Sequence, residues 1–406
     1  MSRTQPRPNE FDPVAARDEP DPSIELTVVL PCLNEADTLA TCITKAQRAL
    51  ASANIRGEVV VADNGSTDGS QDIATSLSAR VVPVGTRGYG AALMGGIEAS
   101  RGRYVLMADA DDSYDLGELP KFLEQLRGGF DLVQGCRLPS GGGSVARGAM
   151  PLLHRWWGNP MFSWMARVWF GVHLHDVHCG MRAFTRALYD RLGLRCTGME
   201  FASEMIIKAT LGNAHTAEVP ITLHQDGRTT HPPHLKTFRD GWRHLRFYLM
   251  YSPRWLFLLP GAGLMLLGAL GYAIAMPGLR LRGVQFDVHT LLFASLSIIC
   301  GYQSILFAIL TKTFGILEGL LPPDRRMTRL WDTFTLERGL VAGAVMMLGG
   351  VALLAAAVGQ WWSRHFGALD VEQTMRSVIP GMTLTALGVQ TVLSCFFLSI
   401  LGLRRR

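Results

Sequence analysis

The sequence predicts an α/β domain with a mostly parallel sheet, followed by an all-α membrane domain of four helices. Three observations carry this expectation. Short apolar runs alternate with helical patterns up to about Cys136, polar and acidic groups gather where those runs end, and four long uncharged stretches follow Trp255. A chain of 406 residues has room for two units. Hydrophobic residues make up 48% of it and concentrate after Trp255, whereas charged residues crowd before it, so the boundary falls between 235 and 255.

Residues 1–23 are rich in Pro, Arg, Asp and Glu and hold no apolar segment, which predicts a disordered lead-in and not a secretory signal. The α/β domain is expected over 24–234. Within it Leu26 to Leu30, Glu58 to Asp63, Arg80 to Val84, Arg103 to Asp109 and Asp131 to Cys136 read as strands, each nearly all apolar, as strands covered on both faces must be. Leu39, Ile43, Ala46 and Leu50 recur at helical spacing, and Tyr89 to Ser100 reads as a further helix. Alternation of this kind gives a doubly wound sheet whose ligands sit at the carboxyl ends of the strands. Those ends carry Pro31 to Glu35, Asp63 to Gly69 and Asp109 to Asp115.

Trp156, Trp157, Phe162, Trp164, Trp169 and Phe170 mix with Arg155 and Arg167 between Leu152 and Val172, and Trp242 to Tyr251 repeats that mixture. Aromatic and Arg side chains together suit a helix lying in the headgroup region, and an interfacial amphipathic helix is expected over 235–254. For the first segment, core packing explains the same residues. The membrane domain is expected over 255–406, with spans at 255–276, 290–311, 340–358 and 378–403, each 19 to 26 residues long and free of charge. Lys312, Arg325, Arg326, Arg329 and Arg338 fill one connection and Arg404 to Arg406 end the chain, which puts both termini and the α/β domain in the cytoplasm.

A net charge of +5, with no basic stretch interleaved with aromatics, argues against nucleic acid and suits a membrane surface. The seven cysteines form no C-x-x-C pair, so neither a disulfide framework nor a zinc ribbon is signalled. His173, His175, Asp176, His178 and Cys179 invite a zinc reading, but no second ligand pair stands at a recognisable spacing.

Asp109-Ala110-Asp111 leaves an apolar strand with two carboxylates one residue apart. Mg²⁺ or Mn²⁺ held by one or two carboxylates and completed by substrate phosphates is an arrangement hard cations favour. The same triplet also suits a turn. Asp63 can accept hydrogen bonds from a base or ribose, and equally it can close the turn that Gly65 and Gly69 allow. Gly85 to Ala92 is a glycine-rich loop opening a helix, whose amides and Arg87 can face phosphate oxygens.

In this order, Pro31 to Glu35, Asp63 to Gly69, Arg87 to Ala92 and Asp109 to Asp111 resemble the family 2 glycosyltransferases with the A-type nucleotide-sugar fold. Gly135-Cys136-Arg137, Asp176 with Cys179 to Phe184, Glu200 to Glu204 and Glu218 to Ile221 narrow the likeness to polyprenyl-phosphate and dolichol-phosphate sugar synthases. The likeness covers about residues 26 to 250. It implies inverting transfer of a hexose from a nucleotide sugar to a dolichyl or undecaprenyl phosphate at the cytoplasmic membrane face, the bacterial inner membrane in the first instance. It implies that the nucleotide sugar meets Pro31, Asn34, Glu35, Asp63, Gly65, Ser66, Asp68, Arg87, Gly90, Asp109 and Ala110. Asp109 and Asp111 would hold Mg²⁺ or Mn²⁺, Arg137 would join them as a catalytic side chain, and Arg137, Arg182 and Arg228 would face the acceptor phosphate. Two positions depart from the pattern: Ser113 stands where relatives carry Gln, and Gly227 to His231 replaces a Gly-x-Ser-Lys stretch, leaving Arg228 or Lys236 to supply the positive charge.

A lipid phosphate is already ionised at neutral pH and needs no strong base, only positioning and charge stabilisation. A glycolipid or polysaccharide hydroxyl would need one, with Glu200 or Glu204 the candidate. A third reading, from another class, is a membrane scaffold or lipid translocase whose α/β domain only binds. Four spans without charge offer little path for a polar sugar and read as an anchor, with a homo-oligomer interface open to them.

Overall fold

The structure is a computed structural model and describes residues 18–151, 154–229, 237–281, 284–333 and 335–403. The first part of the expected lead-in, Thr230, His231, Lys236 and the Arg404 to Arg406 tail lie outside the described residues. The chain divides into two compact units, Met1–Tyr248 and Leu249–Arg406.

The first unit is built on a seven-stranded sheet. Its strands are β1 (Leu26–Cys32), β2 (Gly57–Asp63), β3 (Arg80–Pro83), β4 (Tyr104–Met107), β5 (Leu132–Cys136), β7 (Arg182–Thr185) and β8 (Thr216–Pro220), in the order β3-β2-β1-β4-β7-β5-β8. A two-residue pair, β6 (Ser144–Val145) and β9 (Thr222–Leu223), lies apart from it. Leu26, Val28, Val29 and Leu30 have no exposed surface, because helices cover both faces of the parallel strands. One of those helices, α1 (Leu39–Ser52), buries Leu39, Ile43, Ala46 and Leu50, the stripe its periodicity predicts. The others, in chain order, are α2 (Ser70–Ser76), α3 (Tyr89–Glu98), α4 (Leu119–Arg127), α5 (Asn159–Phe170), α6 (Arg186–Leu192), α7 (Phe201–Leu211) and α8 (Thr237–Tyr251).

The strands after β5 were not read from the sequence, and two features bear on the site. β7 runs antiparallel to both neighbours, Met107 facing Arg182 on one side and Gln134 facing it on the other, so the sheet is parallel except for this strand. It went unread because Arg182 to Thr185 is short and opens with a charged residue. β4 also stops at Met107, two residues before Asp109, which leaves the acidic triplet on a loop. Strand order reverses between β1 and β4, so the loops after these two strands open on one crevice.

Along α5 and the turn just before it the aromatic residues divide. Phe162 and Phe170 set their rings edge-on to Tyr248 of α8 at 5.8 and 5.6 Å, while Trp156, Trp157 and Trp164 face outward, the first two at 70% exposure. Core packing and an exposed aromatic face therefore share one segment.

The second unit holds four helices long and apolar enough to cross a membrane, Arg254–Ala275, Val288–Leu317, Leu336–Ser363 and Val371–Gly402. The helical elements are α9 (Leu259–Ala275), α10 (Val288–Leu317), α11 (Arg325–Thr333), α12 (Leu336–Ser363) and α13 (Val371–Leu403). α10, α12 and α13 run past the expected 290–311, 340–358 and 378–403 by up to about two turns, whereas α9 falls within the expected 255–276.

Candidate active site

Asp109 lies just beyond β4 and accepts the Tyr89 hydroxyl at 2.7 Å. Burial first, and then the neighbouring Asp111 charge, push its carboxyl up to about 6. Burial also holds the Tyr89 phenol well above its usual range, so it remains the donor in that bond. Behind Asp109 a Cβ added to Gly180 would lie 2.5 Å from Oδ2, so only glycine permits this approach. Asp111 accepts the Ser113 amide and hydroxyl on Oδ1 at 3.0 and 2.6 Å, which fixes the carboxylate and leaves Oδ2 facing Arg228 at 3.4 Å. Ser113, where the related pattern has Gln, thus orients a carboxylate. Asp112 adopts φ of 59° and pairs with Lys45 at 2.7 Å, while Thr38 Oγ1 donates to the Ala110 carbonyl at 2.6 Å.

Among the described residues no three His, Cys, Asp or Glu side chains cluster as a complete ligand set. Two carboxylates on one loop, one of them raised by burial and then by the other's charge, fit a divalent cation whose remaining ligands are substrate phosphates and water.

The loops after β1 and β2 are stitched to each other. Thr67 N donates to Asn34 Oδ1 at 2.8 Å, Asn34 N to Ser66 Oγ at 2.9 Å, and Ala36 N to Asp68 Oδ2 at 2.9 Å. Asp63 accepts the Gly65 amide at 3.1 Å and Gln71 Nε2 at 2.6 Å. Asn34, Ser66, Asp68 and Asp63 therefore shape the rim of the crevice, and the turn reading of Asp63 describes what these bonds do. Pro31 still belongs to β1, paired with Ala62, which keeps it at the base of that rim.

The glycine-rich loop behaves differently from its expectation. Gly88 N donates to Asn64 Oδ1 at 2.8 Å and Ala91 N to the Thr197 carbonyl at 3.1 Å, so these amides are engaged within the protein. A Cβ on Gly90 would lie 2.3 Å from the Cys196 carbonyl oxygen. Gly90 thus serves the docking of α3 under residues 196–198, and the exposed Arg87 is what the loop offers outward.

Arg137 is nearly buried and gripped by Asp176, with Nε to Oδ2 at 2.7 Å, Nη2 to Oδ1 at 2.9 Å and the backbone amide to Oδ2 at 3.0 Å. Burial opposes its charge, but the Asp176 carboxylate outweighs that and keeps the guanidinium well above its ordinary value. Its Nη1 reaches the Tyr114 hydroxyl at 3.4 Å, the oxygen that also accepts Gly180 N at 2.9 Å. Arg182, expected at the acceptor phosphate, has no exposed surface and donates to the Ala202 and Cys179 carbonyls at 2.8 and 2.7 Å. It ties β7 to the residues around α7 and presents no nitrogen to a ligand.

Of the two candidate bases, Glu204 is fully buried, pairs with Lys208 at 2.8 Å and accepts the Arg195 and Cys196 amides. Glu200 keeps some exposure, and its Oε2 is buried with no hydrogen-bond partner. The His-rich stretch disperses: His175 pairs with Glu218 at 2.7 Å, His178 stands 3.3 Å from Ser203 Oγ, and Cys179, its thiol pushed up by burial to about 12, packs against Gly135.

Arg228 forks onto Glu35, with Nε and Nη2 at 2.7 and 2.6 Å from its two oxygens. This pairing, the Tyr89 donor and the Tyr114 hub are what sequence reading missed. Tyr89 and Tyr114 each stand inside a stretch already singled out, which is a usable signal. Glu35 and Arg228 are 193 residues apart and leave none.

Residues 27–193 match the family described as "Glycosyl transferase family 2", and residues 309–402 match the "Glycosyltransferase family 2 C-terminal transmembrane region". The low-salt glycan biosynthesis hexosyltransferase Agl6 of Haloferax volcanii is 38% identical over 385 residues, 93% of this chain and 89% of that protein. A dolichyl-phosphate hexose transferase of Haloferax volcanii is 34% identical over 48% of this chain and 82% of its own length. Among solved structures, the glucosyl-3-phosphoglycerate synthase of Mycobacterium tuberculosis in complex with Mn²⁺, uridine diphosphate and glucosyl-3-phosphoglycerate shares 21% identity, covering 56% of this chain and 78% of that one, with a TM-score of 0.43.

Proposed function

We propose that this chain, which belongs to glycosyltransferase family 2, transfers a hexose from a nucleotide sugar to a polyprenyl phosphate with inversion at the anomeric carbon. It is a membrane glycosyltransferase with the A-type fold, a mostly parallel sheet followed by four apolar helices. The observation that carries the proposal is the loop holding Asp109 and Asp111 on the crevice where strand order reverses, with Arg228 3.4 Å from Asp111 and the Arg228 and Arg137 charges both acting on Asp109. Sequence similarity to a dolichyl-phosphate hexose transferase supports the acceptor class.

In this reading the Tyr89 hydroxyl and the Ser113 amide and hydroxyl hold the two carboxylates at fixed angles, so the site is set before substrate arrives. Mg²⁺ or Mn²⁺ bound there would neutralise the charge that develops on the departing nucleoside diphosphate. Asp176 takes the Nε and Nη2 fork of Arg137 and keeps the guanidinium charged, so Nη1, 3.4 Å from the Tyr114 hydroxyl, is the nitrogen left to meet an acceptor phosphate. The acceptor oxygen is anionic at neutral pH, so displacement requires alignment and no proton abstraction.

The hydroxyl-acceptor alternative is favoured by one observation, the unpartnered Oε2 of Glu200. Mass spectrometry of the lipid product separates the two. A single hexose on polyprenyl monophosphate, labile to mild acid, is the expected product. A hexose on a glycolipid hydroxyl, with polyprenyl phosphate inert, would overturn the acceptor assignment and make Glu200 the base. The basic connection at 312–338 supports a cytoplasmic location for it and for the first unit. Cysteine labelling at both places should come from that one side.

A further inference from the structure

Arg228 belongs to a short strap, residues 224–229, that crosses the crevice. His224 N donates to the Ser113 carbonyl and Gly227 N to the Asp111 carbonyl, both at 2.9 Å. Thr229 adds its amide and hydroxyl to Asp37 Oδ2 at 2.9 and 3.0 Å. A Cβ on Gly227 would lie 3.0 Å from Thr38 Cγ2, so the strap lies flat on the start of α1. This main-chain register delivers one guanidinium into a ring of carboxylates: Glu35 at 2.6 Å, Asp226 at 2.7 Å and Asp111 Oδ2 at 3.4 Å. The side chains of Arg228 and Glu35 keep only 10% and 5% of their surface, so the ring is largely shielded from water.

Asp111 therefore already has a cation. A divalent ion held by Asp109 and Asp111 would place two positive charges within a few ångströms of the guanidinium, a repulsion that shielding makes strong. The guanidinium and the ion compete for the same oxygen. Free metal has little with which to displace a fork anchored on Glu35. Metal arriving with a nucleoside diphosphate brings at least two negative phosphates, which offer the freed guanidinium a new paired acceptor.

We propose that Arg228 is an internal occupant of the cation position at Asp111, excluding free metal and exchanged onto the diphosphate when metal and nucleotide enter together. This rests on the reading of Asp109 and Asp111 as the cation-holding pair. It makes Arg228 a positioning residue that couples metal binding to nucleotide binding, a role distinct from the acceptor-phosphate contact expected of it from the sequence.

The test uses the full chain in detergent and counts free Mn²⁺ by its electron paramagnetic resonance signal, first with the ion alone and then with UDP or GDP. Arg228→Met should bind Mn²⁺ alone about tenfold more tightly than the native chain and gain less from the nucleotide. A purely structural loss would weaken both, so the opposite signs are diagnostic. Arg228→Lys keeps the charge without the fork and should fall between the two, which preserves the test if the Met variant folds poorly. Unchanged or weaker binding of Mn²⁺ alone by both variants would overturn the exchange. If neither the native chain nor a folded variant takes up Mn²⁺ with either nucleotide, the metal reading of Asp109 and Asp111 falls and the exchange falls with it.

Discussion

The two units of this chain bury their surfaces in opposite ways. In the first, the core is branched and aromatic: Leu26, Val28, Leu30, Ile43, Leu106 and Phe122 have no exposed surface. In the second, glycines let helix backbones approach each other closely. A Cβ on Gly350 would lie 2.6 Å from the Gly381 carbonyl oxygen, and one on Gly381 would lie 3.0 Å from that of Gly350. Gly343 and Gly388 repeat the reciprocal contact between α12 and α13, and Gly261 and Gly301 do so between α9 and α10. The solvent explains the contrast. Water drives apolar side chains together around a sheet, whereas lipid tails give Leu no reason to leave them, so helices in lipid gain from close backbone approach. Polar groups divide likewise. The first unit buries ion pairs such as Arg137 with Asp176, and the apolar helices join hydroxyls, Tyr302 to Thr391 at 2.6 Å and Tyr272 to Ser295 at 2.6 Å.

The largest effect should come where the first unit uses charge for chemistry. Asp111→Asn combined with Asp109→Asn should lower transfer by on the order of a thousandfold or more, since metal-held charge stabilisation is worth several kcal/mol. Both side chains sit on a loop beyond β4, so the fold should hold. Turnover with a radiolabelled nucleotide sugar reads the first, and cooperative thermal unfolding reads the second. Near-native activity would remove the acidic pair from the reaction.

Next comes charge used for architecture. Asp176→Ala strips Arg137 of three hydrogen bonds and leaves an uncompensated buried guanidinium, which costs about 3 kcal/mol or more. Hydrogen exchange on the intact protein should show β5 and β7 losing protection while α12 and α13 keep theirs. Equal loosening of both units would erase the distinction drawn between them.

The reverse experiment is Gly350→Leu. A larger apolar side chain is harmless on a lipid-facing surface, but here the Gly381 carbonyl and the Thr385 hydroxyl, 2.4 Å from the added Cβ, occupy the space. Overpacking of this kind costs roughly 1 to 3 kcal/mol. Exchange should rise in α12 and α13 alone, and Gly349→Leu, whose added Cβ meets nothing within 4 Å, should leave them unchanged.

The contrast also explains what could be read in advance. Strands β1, β2 and β5 were legible because a strand buried on both faces is apolar throughout, and α1 because its buried stripe repeats every turn. The four spans were legible from length and lack of charge. β7 was not, since Arg182 opens it and its pairing with β4 and β5 is a fact about topology. In the site, Asp109 and Asp111 stood out because acids after an apolar run are conspicuous. The occupations of Arg137, Arg182 and Arg228 were hidden, because a sequence displays a cation but not the carboxylate or carbonyl that takes it. Arg182 shows the consequence: its charge pointed to a phosphate, and the structure gives it two backbone carbonyls instead.

The smallest effect tests whether hydrogen bonds between the spans matter beyond shape. Tyr302 of α10 and Thr391 of α13 share a bond at 2.6 Å, and Thr391 can also donate to the Leu387 carbonyl one turn back at 2.7 Å. Tyr302→Phe removes one hydroxyl and leaves Thr391 with that local acceptor, so no polar group is stranded in the hydrocarbon. The expected loss is therefore only about 0.6 kcal/mol, the usual worth of such a bond in lipid. A double-mutant cycle with Thr391→Val, read by reversible unfolding in mixed micelles, isolates the pair from the packing of the ring. A coupling several times larger would mean that α10 and α13 are held by polar contact. The glycine-lined approaches of α9 to α10 and of α12 to α13 would then not represent how the whole unit coheres.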